Sequence, residues 1–317
     1  MRTTHKRLLV LLAIPALLLS SAVTGTLTVA AASSKTAAAF PVTIKAADGT
    51  FTLHSRPKAI VSLSPTSTEI LFAIGAGSQV RAVDSYSNYP PNAPITKLSA
   101  YTPNVEAIAK YKPDLVVVAT DSASFNSQMK ALKIPVIYFS AASNLSQAYS
   151  EYLALGKATG HVAGAKAEIA RVKAKISHIV SSTPKATAGS TYYYELDPTY
   201  YSVTSSTFVG QLLGLLGLKS IADSATGVAS SGGYPQLNAE FILKANPSFI
   251  FLADTVCCKA SSATVGARPG WSALSAVQNG HVVGLNDDIA SRWGPRVTVL
   301  LQDVANALKA SKVAPTS

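Results

Sequence analysis

The chain has 317 residues, 48% of them apolar, with 27 lysines and arginines against 16 acidic residues and a net charge of +11. No Lys/Arg-rich run accompanies that charge, so the composition argues against a nucleic-acid partner and for a mildly basic surface. Without residues 1–32, which hold Arg2, Lys6 and Arg7, 24 basic residues face 16 acidic ones, about +8.

In chain order, those three basic residues precede an apolar run from Leu8 to Leu19, interrupted by Pro15, and small residues follow at Ala30 to Ala32. The pattern reads as a secretory signal peptide over 1–32, short for a transmembrane span. No later apolar stretch reaches the roughly 18 residues that a bilayer requires. The expected location is therefore outside the cytoplasmic membrane, periplasmic or extracellular, with no Cys in the signal region to carry a lipid. Residues 33–55 are expected to form an N-terminal extension.

From residue 56 onward apolar strands alternate with helical stretches: Ala59 to Leu63, a helix from Ser67 to Ile74, then Val80 to Val83, Leu115 to Ala119 and Val136 to Phe139. Alternation of this kind predicts a parallel sheet covered by helices. It defines a first lobe over 56–163. Between 164 and 182, Ala165, Ile169, Val172, Ile176 and Ile179 are spaced four, three, four and three, with Lys166, Lys173 and Lys175 outside the stripe. This predicts an amphipathic linker helix of about 27 Å. The alternation resumes in a second lobe over 183–317, with Thr191 to Leu196, a helix near Phe208 to Leu216, Phe249 to Ala253, and Val282 to Leu285. The fold class expected is α/β, two similar lobes with mostly parallel sheets flanked by helices and joined by one long helix.

A sixteen-residue phrase supports the duplication. Asn104 to Ala119 and Asn238 to Ala253 match at Asn, Glu, Ile, Lys, Pro and Ala with equal spacing. Each copy reads as a short helix with Asn as N-cap, Glu106 or Glu240 in its first turn, and Pro before a buried strand.

Open parallel sheets bind ligands beyond the carboxyl ends of their strands, so the segments that follow strands are the candidate site. Tyr86 and Tyr89 follow Val83, and Tyr101 precedes the first repeated helix. Tyr200 and Tyr201 follow a strand, and Tyr234 precedes the second repeated helix. Facing rings suit a large, flat, partly apolar ligand, although loop tyrosines also simply cover sheet ends. Asp288 and Arg292, four residues apart after Leu285, either pair with each other or meet polar groups of a ligand. Phosphate-loop, dinucleotide and nucleophile-elbow motifs are missing, and the five histidines are scattered, so neither a catalytic residue, a metal site nor a cofactor is expected. Cys257 and Cys258 are adjacent, and in an oxidising compartment they can form a vicinal disulfide.

The stretch Ile60-Val61-Ser62-Leu63-Ser64-Pro65-Thr66-Ser67-Thr68-Glu69-Ile70, with the segments around Tyr86, Tyr234 and Asp288 to Arg296, resembles the binding proteins that deliver cobalamin, ferric siderophores or haem to ABC importers. The resemblance covers about Arg56 to Leu308. It implies the helical-backbone type of periplasmic-binding-protein fold (class III) and a monomer that is not an enzyme. Its partners would be a small-molecule ligand and an ABC permease with ATPase subunits. Likeness to the cobalamin-binding members implies ligand contacts at Tyr86, Tyr101, Tyr234, Asp288 and Arg292, alongside Tyr201, with Glu106 and Glu240 docking on the permease. Tyr101 and Tyr234 stand where those members carry tryptophan. An anionic siderophore would instead call on Arg268, Arg292 and Arg296, and an exported enzyme would have to use Cys257 and Cys258.

Overall fold

The computed structural model describes residues 40–47, 49–120 and 122–313, all within one compact unit. The signal segment 1–32 lies outside the described residues. Part of the expected extension folds: β1 (Val42–Ala46) and β2 (Gly49–Leu53) form an antiparallel hairpin. Ile44 and Leu53 enter the core of the first lobe, and the Asp48-Gly49 dipeptide is a sequence signal for such a turn.

The first lobe continues with β3 (Ile60–Leu63), α1 (Pro65–Ala73), β4 (Val80–Asp84), β5 (Ile95–Leu98), α2 (Val105–Ala109), β6 (Leu115–Val118), α3 (Ala123–Ala131) and β7 (Val136–Tyr138). Two helices follow, α4 (Leu145–Thr159) and α5 (Val162–Ser181). The second lobe holds β8 (Thr191–Glu195), α6 (Phe208–Gly214), β9 (Lys219–Ser220), α7 (Ala239–Ala245), β10 (Phe249–Leu252), α8 (Ser262–Gly266), α9 (Ser275–Gln278), β11 (Val282–Gly284), α10 (Asp287–Ala290) and α11 (Val297–Val313).

Both sheets are parallel, ordered β5-β4-β3-β6-β7 and β9-β8-β10-β11. The second repeats the first, β4-β3-β6-β7, without the edge strand β5. Central strands are apolar on both faces because helices cover both faces. Leu115 and Val117 enter one core cluster and Val116 and Val118 the other. Phe249 and Phe251 alternate in the same way with Ile250 and Leu252.

The repeated phrase folds alike in both copies. Asn104 Oδ1 accepts the Ala107 N–H at 2.8 Å, and Asn238 Oδ1 accepts the Phe241 N–H at 2.8 Å. Lys112 and Asn246, each just before the proline, take left-handed backbone at φ 48° and 43°. After the proline, Asp114 accepts the N–H groups of Lys58 and Ala59, while Ser248 accepts that of Thr191. Each copy thus fastens the start of its neighbouring strand.

The linker stripe is buried throughout. Ala165 and Ile169 pack into the first lobe's core, and Val172, Ile176 and Ile179 into the second's. The helix therefore joins both cores over about 30 Å. α4 shares this role, since Ala148 belongs to the second core while Tyr152, Leu155 and Ala158 belong to the first. Gly164 lets α5 touch the end of α1, where a Cβ would lie 2.1 Å from the Ile74 carbonyl oxygen. Among the described residues no helix is long and apolar enough to cross a membrane.

Candidate functional site

The loop after β4 is built from its own buried anchor. Asp84 ends the strand fully buried and accepts the Tyr86 N–H at 2.8 Å and the Ser87 hydroxyl at 2.6 Å. Burial pushes the Asp84 carboxyl above its ordinary pKa, and the bonds from Ser87 and Tyr86 oppose that rise. Thr68 of α1 donates to Ser87 at 3.1 Å. Tied down on this side, the loop projects Tyr86 outward, 57% exposed, where it meets Tyr101, 76% exposed, edge to face at 5.8 Å.

On the second lobe the segment after β8 pairs with the segment before α7. Leu237 N–H donates to the Tyr200 carbonyl, Ser202 N–H to that of Pro235, and Thr204 N–H to that of Gly233. This pairing, with a bridge between Tyr201 and Gln236, brings Tyr201 and Tyr234 together, both partly exposed. Partial burial raises the Tyr234 pKa above its ordinary value. The structure thus places two exposed tyrosines on each lobe beyond the carboxyl end of its sheet, Tyr86 against Tyr101 on the first and Tyr201 and Tyr234 on paired segments of the second.

Asp288 and Arg292 adopt the first of the two arrangements open to them: they pair with each other. Arg292, 8% exposed, also donates across to the first lobe, to Glu69 at 3.0 Å, Asn88 Oδ1 at 3.1 Å and the Tyr86 carbonyl at 2.9 Å. Asn88 Nδ2 returns a bond to Asp288 at 2.6 Å. Arg296 grips Glu69 as well, at 2.6 Å, and lies over the Tyr89 ring at 4.4 Å. One turn away, Glu151 of α4 accepts the Ser67 hydroxyl at 2.6 Å and the Trp293 indole N–H at 2.8 Å. Burial pushes the Glu151 carboxyl up to about 7 despite those two bonds. A polar seam between the lobes results, centred on Glu69, whose side chain is fully buried.

Glu69, Asn88 and Trp293 lie in stretches that the sequence singles out, but neither they nor Glu151 are assigned a role there. Their partners lie up to 227 positions away, and spacing carries no trace of such contacts. The one available signal was the run Thr66-Ser67-Thr68-Glu69, polar residues in a helix that follows a wholly buried strand.

The third arginine is also engaged. Arg268 holds Glu195, at the end of β8, in a bidentate pair at 2.6 and 2.7 Å and lies over Trp271 at 4.6 Å. Asp254, fully buried two residues past β10, is pushed well up by burial and by the neighbouring Glu195 charge. Cys257 and Cys258 follow it, joined as a disulfide. Glu106 and Glu240 are both exposed, each in the first turn of its capped helix, α2 and α7. His281 lies at the opposite, amino end of the second sheet, bonded to the Ser248 carbonyl. Among the described residues no cluster of three His, Cys, Asp or Glu is placed to hold a metal ion.

Residues 60–289 match the family model described as periplasmic binding protein. The chain is 30% identical to an uncharacterized ABC transporter substrate-binding lipoprotein, YvrC, of Bacillus subtilis, covering 85% of this chain and 86% of that one. It is 28% identical to a cobalamin-binding protein of Halobacterium salinarum, covering 86% and 75%. Among solved structures, a possible iron-binding (periplasmic solute-binding) protein of Staphylococcus epidermidis superposes with a TM-score of 0.66 at 25% identity, covering 80% and 99%.

Proposed function

Because this chain belongs to the periplasmic binding protein family, we propose that it captures a corrinoid, cobalamin or a close analogue, between the carboxyl ends of its two sheets and passes it to an ABC permease. The family consists of solute-binding components of importers, not enzymes, and such components are exported and work with a small-molecule ligand and a permease with its ATPase.

The observation that carries the corrinoid reading is the state of the three arginines. An anionic ferric siderophore needs guanidinium groups free to meet its charge, yet Arg268 is held by Glu195, and Arg292 and Arg296 share Glu69. What the facing loops leave exposed is tyrosine: Tyr86 and Tyr101 on one side, Tyr201 and Tyr234 on the other. Such a surface suits a large ligand that is mostly neutral and has a flat face, with phenol hydroxyls available for its amide groups. On this reading Asp288 and Arg292 support the loop of Tyr86 from beneath and hold the two lobes in register. The likeness to a cobalamin-binding protein of Halobacterium salinarum supports the same ligand class. The likeness to a possible iron-binding protein keeps an iron-bearing ligand as the rival.

Transfer uses the other duplicated feature. Glu106 and Glu240, exposed on matching helices, form a carboxylate pair suited to steering onto a basic, two-fold permease.

Titration of the purified chain with cyanocobalamin, cobinamide, haem and a ferric hydroxamate, followed by tyrosine and tryptophan fluorescence and by calorimetry, tests the ligand. Corrinoid dissociation constants below about 1 µM, weakened roughly tenfold by Tyr86→Ala or Tyr234→Ala, are expected. Binding of the iron compounds alone moves the chain to siderophore or haem uptake. For docking, Glu106→Ala and Glu240→Ala are expected to abolish ligand uptake in cells while leaving binding intact.

A further inference from the structure

Val256, Cys257 and Cys258 are exposed and carry no polar side-chain group, exposed Lys259 follows them, and the two cysteines are closed into a disulfide. The run follows β10, which lies between β11 and β8 in the sheet. Its loop therefore emerges between the segment that carries Asp288 and the segment that carries Tyr201. The loop is held on a fixed base. Asp287 accepts the N–H groups of Val256 and Cys257 at 2.9 and 2.8 Å, and the Asp254 carbonyl accepts that of Cys258 at 3.2 Å. Thr255 donates its hydroxyl to the Leu285 carbonyl. Asp287 adjoins Asp288, which is bonded to Asn88 of the first lobe. A sulfur-bearing turn is thus held by backbone bonds beyond the carboxyl end of a central strand of the second lobe's sheet.

We infer that the Cys257–Cys258 ring is a contact platform for the flat face of a conjugated macrocyclic ligand, and that its disulfide state sets the preference for such ligands. The inference rests on the macrocycle reading above and adds a specificity element to it. Joining adjacent cysteines fuses their side chains into one small ring with no O–H or N–H of its own. Polarisable sulfur is attracted to π-systems, and a ring already fixed loses little freedom when a ligand covers it. Reduction breaks the S–S bond with two electrons and two protons from an external dithiol, which becomes a disulfide in turn. Two independently rotating thiols then replace one rigid surface.

The test begins with the oxidised wild-type chain, cyanocobalamin and haem, followed by absorption of the bound chromophore. Cys257→Ala/Cys258→Ala is expected to weaken both ligands about three- to tenfold, to shift the visible band of the bound chromophore, and to leave the melting temperature unchanged. Wild-type chain reduced with dithiothreitol and then freed of it is expected to show the same loss, reversed on reoxidation; this arm decides the matter if the double variant fails to fold. Unchanged affinity and spectra in both arms would overturn the inference, as would an equal loss for a ferric hydroxamate, which has no flat conjugated face. Failure of the oxidised wild-type chain to bind any macrocycle would remove the premise instead, and the first titration separates that result from the others.

Discussion

The two lobes share a strand order and a duplicated helix, yet they balance a buried carboxylate in opposite ways. In the second lobe Glu195 is neutralised at home, by Arg268 of the same lobe, with Trp271 behind the guanidinium. In the first lobe Glu69 has no arginine of its own among the described residues that pair with it; Arg292 and Arg296 both reach it from the second lobe. A buried charge without its partner is costly. The Glu195–Arg268 pair is thus closed within one lobe, whereas Glu69 and its two arginines are matched only across the seam. Strand order is the duplicated property here, while charge balance records how the two halves were fitted together.

The comparison is broken most directly by removing the two carboxylates in turn. Glu69→Ala strands two guanidinium groups at the seam and should cost about 3–5 kcal/mol in urea denaturation. Glu195→Ala should cost less, about 2 kcal/mol, because it strands one guanidinium, that of Arg268, instead of two. Equal losses would mean that the seam is no more dependent on its cross-lobe partners than a pair within one lobe.

Between those two losses in size is the effect of pH through Glu151. Its folded pKa is raised to about 7 from an ordinary 4.5, so the folded chain holds this proton more tightly than the unfolded chain does. Stability from this group therefore grows as pH falls from about 7 towards 4.5 and is lost as pH rises through 7, an effect of roughly 3 kcal/mol. Denaturation of wild type and Glu151→Gln at pH 5 and pH 8 isolates it: the variant should show the flatter profile, and parallel profiles would refute the assignment.

The smallest effect sharpens the symmetry itself. Asn104→Ala and Asn238→Ala each remove one N-cap and should each cost about 1 kcal/mol. A marked difference between the two would show that the copies, alike in geometry, have diverged in what their helices support.

Much of the architecture was legible because it rests on local chemistry. The apolar runs that became β3, β6 and β10 are continuous because helices cover both faces, and Asn104 and Asn238 announce their helices by a bond that spans three residues. The stripe from Ala165 to Ile179 is readable for the same reason, since its period belongs to one helix. The tyrosines could be placed at strand ends by counting from Val83 and Leu196. Local chemistry also held a signal that went unused, the dipeptide Asp48-Gly49, a common hairpin-turn sequence. Glu69 and Arg292 were not legible as partners, because nothing in a polar residue on a buried helix says which distant chain segment will meet it. The reading of Asp288 with Arg292 stayed open for a related reason: helical spacing permits their contact but does not say whether that guanidinium has further work across the cleft.

The sharing of α4 and α5 between the cores bears on how the chain reaches its native state. A polypeptide ending before Ala165 lacks two residues of the first core, and one beginning after Thr159 lacks Ala148 of the second. Neither half carries a full set of packing partners, so the lobes should melt in a single cooperative transition and not in two steps, and an isolated half should be poorly folded. If the chain is exported unfolded, amino end first, the consequence is temporal: the first half emerges before the segment that completes it, and its exposed core must be kept from aggregating until the second half arrives.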